Sequence, residues 1–84
     1  MTAAELKDTV ARAVRCEWPA FAADHPRLAG VLSEDLVTIT LCRSIEDDPE
    51  YRAAMTTAAE IGAGAEVVSD VVTRLVGQMI RTLL

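Results

Sequence analysis

Aromatic side chains are scarce in this 84-residue chain, which has one Trp, one Tyr and one Phe. A core must therefore be built from Val, Leu, Ile, Met and Ala, which suits closely packed helices better than a large ligand pocket. The length predicts a single domain spanning residues 1–84. So short a chain buries a modest fraction of its surface, and association with a partner is one common way to add stability.

Basic residues are also few, because eight Lys and Arg stand against 13 Asp and Glu and give a net charge of −5. Lys7 is the one lysine, and the arginines are scattered along the chain. Non-specific binding to nucleic acid needs clustered cations that displace counterions. We therefore expect no nucleic-acid partner.

Long apolar runs are missing as well. No stretch approaches the roughly 18 uncharged residues that a transmembrane helix needs, so we expect no membrane span. Residues 1–5 lack the basic start and apolar run of a signal peptide. These absences predict a cytoplasmic protein.

The chain has two cysteines, Cys16 and Cys42. Secreted mini-domains usually carry more, at closer spacing. We expect both to be reduced and partly buried, and a disulfide between two helices is the alternative. With His25, the single histidine, they lack the paired spacing of a zinc site. We therefore expect neither a metal nor another cofactor.

No pattern of catalytic residues stands out. His25 has Asp24 beside it, but neighbouring side chains rarely face each other and no nucleophile accompanies them. The segment 62–64 precedes a helix, as a phosphate-binding loop does, yet it lacks the Lys followed by Ser or Thr. Glu66 in the next turn would repel a phosphate. We expect no enzymatic activity.

Helical periodicity is what the sequence does contain. A first helix is predicted from Thr2 to about Glu17, because Thr2 and Glu5 form a capping box and one stripe is apolar. That stripe consists of Leu6, Val10 and Val14. Pro19 disfavours helical geometry in the residue before it, so this helix is expected to end at Trp18. Short helical pieces should follow at 19–24 and 27–32.

Residues 37–41 carry two conflicting patterns. The alternation Val-Thr-Ile-Thr-Leu is typical of a strand. However, Ser33 followed by two acids marks a helix start, and Val37, Leu41 and Ile45 share one helical face. Because no second strand candidate is evident, we predict a helix from about Glu34 to Ile45. A strand paired across a dimer is the alternative.

Two further helices complete the predicted fold. Asp48 can cap a helix that begins at Pro49, and Gly62 suits its left-handed end. The last helix is predicted from about Ala65 onward. The sequence therefore predicts an all-α fold, a compact bundle of four main helices with one or two short helical turns.

The last helix carries apolar residues in pairs that repeat every four positions, from Val67-Val68 to Leu83-Leu84. Such a stripe drifts by about 40° per pair, because an α-helix has 3.6 residues per turn. The first pairs should face the core, and the last should face a different side. If other helices leave that side open, it predicts a two-fold homodimer. The candidate interface residues are Val76, Met79, Ile80, Leu83 and Leu84.

Two classes of function remain. The first is a helical protein–protein interaction or oligomerisation module without catalytic activity, expected to form a homodimer or to bind another protein. The alternative is an acidic adaptor or inhibitor that docks on a basic protein surface. Its docking residues would be Glu46, Asp47, Asp48 and Glu50, which otherwise form a solvated turn.

Overall fold

A computed structural model describes residues 1–82, which form five α-helices and no strand. The predicted all-α bundle is therefore confirmed, with one short helix beside the four main ones. The helices are α1 (Ala3–Asp24), α2 (Pro26–Val31), α3 (Glu34–Glu46), α4 (Pro49–Ile61) and α5 (Ala65–Arg81).

The start of α1 is fixed by the predicted capping box. The Thr2 hydroxyl accepts a hydrogen bond from the Glu5 N–H at 3.1 Å, and the Glu5 carboxylate accepts one from the Thr2 N–H at 3.1 Å. The bond from the Thr2 N–H favours the ionised carboxylate and is the main reason that the pKa of Glu5 is lowered. The apolar stripe that follows is buried, with Leu6, Val10 and Val14 at most 2% exposed.

The predicted end of α1 before Pro19 is wrong, because the helix continues through Pro19 to Asp24. An interior proline removes one hydrogen bond and costs about 3 kcal/mol. The added turns bury Phe21, which is 6% exposed and packs on Trp18 with ring centroids 5.2 Å apart. Burying such a side chain contributes roughly 1.5–3 kcal/mol. Tertiary packing therefore offsets most of the local penalty.

Residues 37–41 lie within a helix, as predicted. The Ser33 hydroxyl caps α3 by accepting from the Leu36 N–H at 3.0 Å. The two threonines of the alternating stretch fit the helix because their hydroxyls donate to backbone carbonyls one turn earlier. Thr38 donates to Glu34 at 2.7 Å, and Thr40 donates to Leu36 at 2.9 Å.

The last two helices begin and end where their local signals indicate. The Asp48 carboxylate accepts from the Glu50 N–H at 2.9 Å, and Pro49 is the first residue of α4. Gly62 ends this helix with a φ of 67°, a left-handed conformation that glycine adopts without strain. Gly64 then precedes α5.

The bundle is held together around α5. This helix packs against α1, α3 and α4, while α3 also contacts α1 and α4, and α2 contacts α1. The centre is aliphatic, as the shortage of aromatic residues predicts. Among the described residues, five side chains have no exposed surface: Val10, Val14, Ile45, Val72 and Val76.

Gly77 lies inside α5 beneath the side chain of Arg81, whose Nε donates to the Gly77 carbonyl at 2.9 Å. A methyl group at this position would lie 2.7 Å from Arg81 Nη2 and 3.3 Å from Glu17 Oε1, which are both at the ends of flexible side chains. Alanine favours a helix interior over glycine by about 1 kcal/mol. We therefore expect Gly77→Ala to raise the free energy of unfolding by up to about that amount in urea denaturation. A lower midpoint would show that the side chains of Arg81 and Glu17 cannot move aside.

Candidate interaction surfaces

The structure corrects the predicted interface at the end of α5. Val76 and Ile80 are 0% and 4% exposed, so both belong to the core of this chain. Met79 is half-buried against the same core. Leu83 and Leu84 lie outside the described residues. The drifting stripe does need neighbours on more than one side, and α1, α3 and α4 of this chain all pack against α5.

The length of α1 explains why Ile80 is covered. Its last turns run past Pro19, and Ala20 and Phe21 line a small pocket together with Ile80. An α1 that ended at Trp18 would have left this end of α5 open. The stripe also departs from the prediction at its start, because Val68 and Val72 are buried whereas Val67 is 45% exposed.

The predicted acidic docking residues form the turn between α3 and α4 and its flanks. Their side chains serve the fold in three cases: Asp48 caps α4, Asp47 pairs with Arg52 at 3.2 Å, and Glu50 pairs with Arg74 of α5. The carbonyl of Glu46 also accepts a hydrogen bond from Arg52 Nε at 3.2 Å. Glu46 is the one member whose carboxylate has no hydrogen bond or ion pair within residues 1–82.

Large apolar side chains remain exposed along one side of α3. Leu36 is 50% exposed and Ile39 is 48% exposed. At about 100° per residue, they and Arg43 lie on the side of the helix away from its buried residues. Those buried residues are Val37, Thr38, Leu41 and Ile45. We call Asp35, Leu36, Ile39 and Arg43, all of them exposed, the outer face of α3.

A shallow groove between α1 and α3 borders this outer face. It is lined by Leu6 and Lys7 from α1 and by Ile39, Cys42 and Glu46, among others, from α3. Burial and, secondarily, the Glu46 carboxylate raise the pKa of the Cys42 thiol, although Lys7 acts in the opposite direction. The thiol is therefore protonated at neutral pH and acts as a small apolar side chain at the edge of the groove.

The remaining reactive side chains do not assemble into a chemical site. The His25 ring packs on Phe21 with centroids 5.3 Å apart, and its backbone joins α1 to α2. Cys42 is half-buried as expected, but Cys16 is exposed, and no disulfide joins them. Within residues 1–82, no three His, Cys, Asp or Glu side chains lie close enough together to hold a metal ion.

Three other large apolar side chains within residues 1–82 are exposed, at helix ends. Ile61 and Val67 flank the turn between α4 and α5 and are 69% and 45% exposed. Val31 ends α2 and is 80% exposed. Isolated exposures of this kind are common on protein surfaces. The outer face of α3 differs because its apolar residues lie one turn apart within a single helix.

Comparisons of this chain with known protein families, curated proteins and solved structures found no match. None of the helices in residues 1–82 combines the length and the apolar character needed to cross a membrane. A candidate site must therefore be inferred from the surface of the chain. The outer face of α3 is the best candidate on that surface.

Proposed function

We propose that this chain is a small helical self-association module, without catalytic activity or a cofactor, that pairs with a second copy through the outer face of α3. The observation that carries the proposal is the exposure of Leu36 and Ile39 on the side of α3 that faces away from the core. The proposal extends to a cytoplasmic location, which the two free cysteines support.

The chemistry of this surface fits a protein partner better than other ligands. Side chains three residues apart on an exposed helix face are the usual anchors when one helix packs on another. Charges of both signs border them, whereas a nucleic acid would need a cluster of cations and the net charge here is −5. Because two half-exposed side chains per copy bury little area, the expected association is weak and reversible.

Sedimentation equilibrium from micromolar to millimolar concentration tests the proposal. Wild type should associate with a midpoint inside this range. The double variant Leu36→Glu with Ile39→Glu should remain monomeric throughout, because association would bury its new carboxylates. Ile61→Glu with Val67→Glu adds the same charges on exposed residues of another surface, and this control should associate like wild type.

Two results would contradict this proposal. One is a wild-type protein that is monomeric at millimolar concentration. The other is a Leu36→Glu, Ile39→Glu variant that associates as strongly as wild type. The milder pair Leu36→Ala with Ile39→Ala provides a second readout should the charged variant melt at a lower temperature than wild type. It should weaken association without adding charge.

Docking of an acidic adaptor or inhibitor on a basic protein remains the alternative prediction. It has less support, because Asp47, Asp48 and Glu50 already pair or cap within the chain. Salt dependence separates the two functions. The affinity of an apolar interface rises or stays constant as salt is added. The affinity of an acidic surface for a basic partner falls, because salt screens the charges.

A further inference from the structure

We infer that two copies pair with their α3 helices antiparallel, about a two-fold axis at Ile39, so that Asp35 of each copy faces Arg43 of the other. This inference rests on the proposed function, because it specifies the geometry of the same surface. It follows from the spacing of the outer-face residues and from the order of their charges.

The spacing is symmetric about Ile39. Asp35 lies four residues before it and Arg43 lies four residues after it, so the three side chains follow one ridge of the helix. At 1.5 Å of rise per residue, each charge is about 6 Å along the axis from Ile39. In an antiparallel pair centred there, each carboxylate meets a guanidinium, and the two Ile39 side chains meet each other.

The charges on the outer face are available for such a pairing. Asp35 and Arg43 are exposed, and neither forms an ion pair within residues 1–82, whereas Arg52 and Arg74 are both paired. A parallel arrangement would place two Asp35 carboxylates together and two Arg43 guanidinium groups together. The antiparallel arrangement replaces both repulsions with attractions, and it also opposes the two helix dipoles.

The groups flanking the outer face are compatible with this orientation. Lys7 lines the groove beside Ile39 and Arg43, so a second cation lies in the half of the surface that would receive the partner's Asp35. Glu46 borders the same groove, but it is seven residues beyond the axis. An antiparallel pair would place it level with Leu32 of the other copy, which precedes α3, and about 4.5 Å farther along the axis than that copy's Asp35, so Arg43 is the group level with this carboxylate.

Charge reversal tests the orientation. Asp35→Arg alone, or Arg43→Asp alone, converts both attractions of the symmetric pair into repulsions and should weaken self-association about tenfold. Combining the two changes restores opposite charges and should bring affinity back to near wild type. The matched controls Glu60→Arg and Arg27→Asp change the net charge equally on exposed residues elsewhere and should have much smaller effects.

Cysteine cross-linking gives a second readout of the same geometry, in a chain whose own cysteines are replaced by Cys16→Ser and Cys42→Ser. Ile39→Cys lies on the axis and should form a disulfide-linked dimer on mild oxidation. Arg43→Cys should not link to itself, since the two sulfurs would be about 12 Å apart along the axis. Mixing the Asp35→Cys and Arg43→Cys chains should produce the linked heterodimer.

The outcomes distinguish failure of the orientation from failure of the proposed function. If wild type associates through Leu36 and Ile39 but single charge reversals have no effect and Arg43→Cys links to itself, the antiparallel inference is wrong and the proposed function stands. If wild type is monomeric at millimolar concentration, both fail. Weakening by each reversal with recovery in the double reversal supports both.

Discussion

Ile80→Glu is expected to unfold the domain at neutral pH, not merely to dissociate a dimer. Ile80 is 4% exposed and lines a small pocket together with Phe21. The change removes the roughly 1.5–3 kcal/mol of stabilisation that comes from burying the apolar side chain. It also adds the larger free-energy cost of a buried carboxylate. Below about 70–80 residues a single core rarely supplies more than about 3–5 kcal/mol, and this chain is only slightly longer, so a loss of this size is expected to unfold it.

Far-ultraviolet circular dichroism and a thermal melt would measure this effect. The matched control is Ile61→Glu, which makes the same change at a residue that is 69% exposed and should keep the wild-type melting temperature within a few degrees. Because Arg81 also lines the Ile80 pocket, a second variant is needed that cannot reach this cation. Val76→Asp serves this purpose, because Val76 is fully buried and does not line the pocket that contains Arg81. Cooperative, wild-type-like melting of both variants would contradict the assignment of this end of α5 to the core.

The beginnings and ends of the helices could be predicted because their signals are local. The capping bonds of Thr2, Ser33 and Asp48 each join groups within three residues, and Gly62 supplies a conformation that only its own backbone decides. None of these contacts depends on how the helices are arranged in space. A single stretch of sequence therefore contains all the information that they require.

The continuation of α1 and the burial of Ile80 could not be predicted from local sequence signals. Pro19 carries a local penalty, and most of it is offset by the packing of Phe21 at the end of the bundle. That packing involves Ile80 of α5, which is far from Pro19 in the sequence. The two errors are linked, because a shorter α1 left the second side of α5 without a neighbour. Both show long-range packing overriding a local preference.

Only part of the outer face of α3 could be predicted from the sequence. A helical projection places Leu36 and Ile39 away from the stripe of Val37, Leu41 and Ile45, so their separation from that stripe could be anticipated. Whether another helix would cover them depends on the arrangement of α1, α4 and α5. Those helices contact α3 on its other sides and leave this face exposed.

Leu41→Ala and Ile39→Ala are expected to differ sharply in their effects, although the two residues are only two positions apart. In a strand, Ile39 and Leu41 would share one face and one environment. In α3, they lie about 160° apart, and Leu41 is 4% exposed while Ile39 is 48% exposed. The helix therefore predicts unequal losses, whereas the strand alternative predicts similar ones.

The expected loss for Leu41→Ala is about 2–4 kcal/mol of unfolding free energy, because the truncation removes buried methyl groups and leaves a cavity in the core. Ile39→Ala should lower the unfolding free energy by less than about 1 kcal/mol, since half of the surface of Ile39 is already hydrated. Urea denaturation at low micromolar concentration measures both without a contribution from self-association. Equal losses at the two positions would show that residues 37–41 do not have the two distinct faces of a helix.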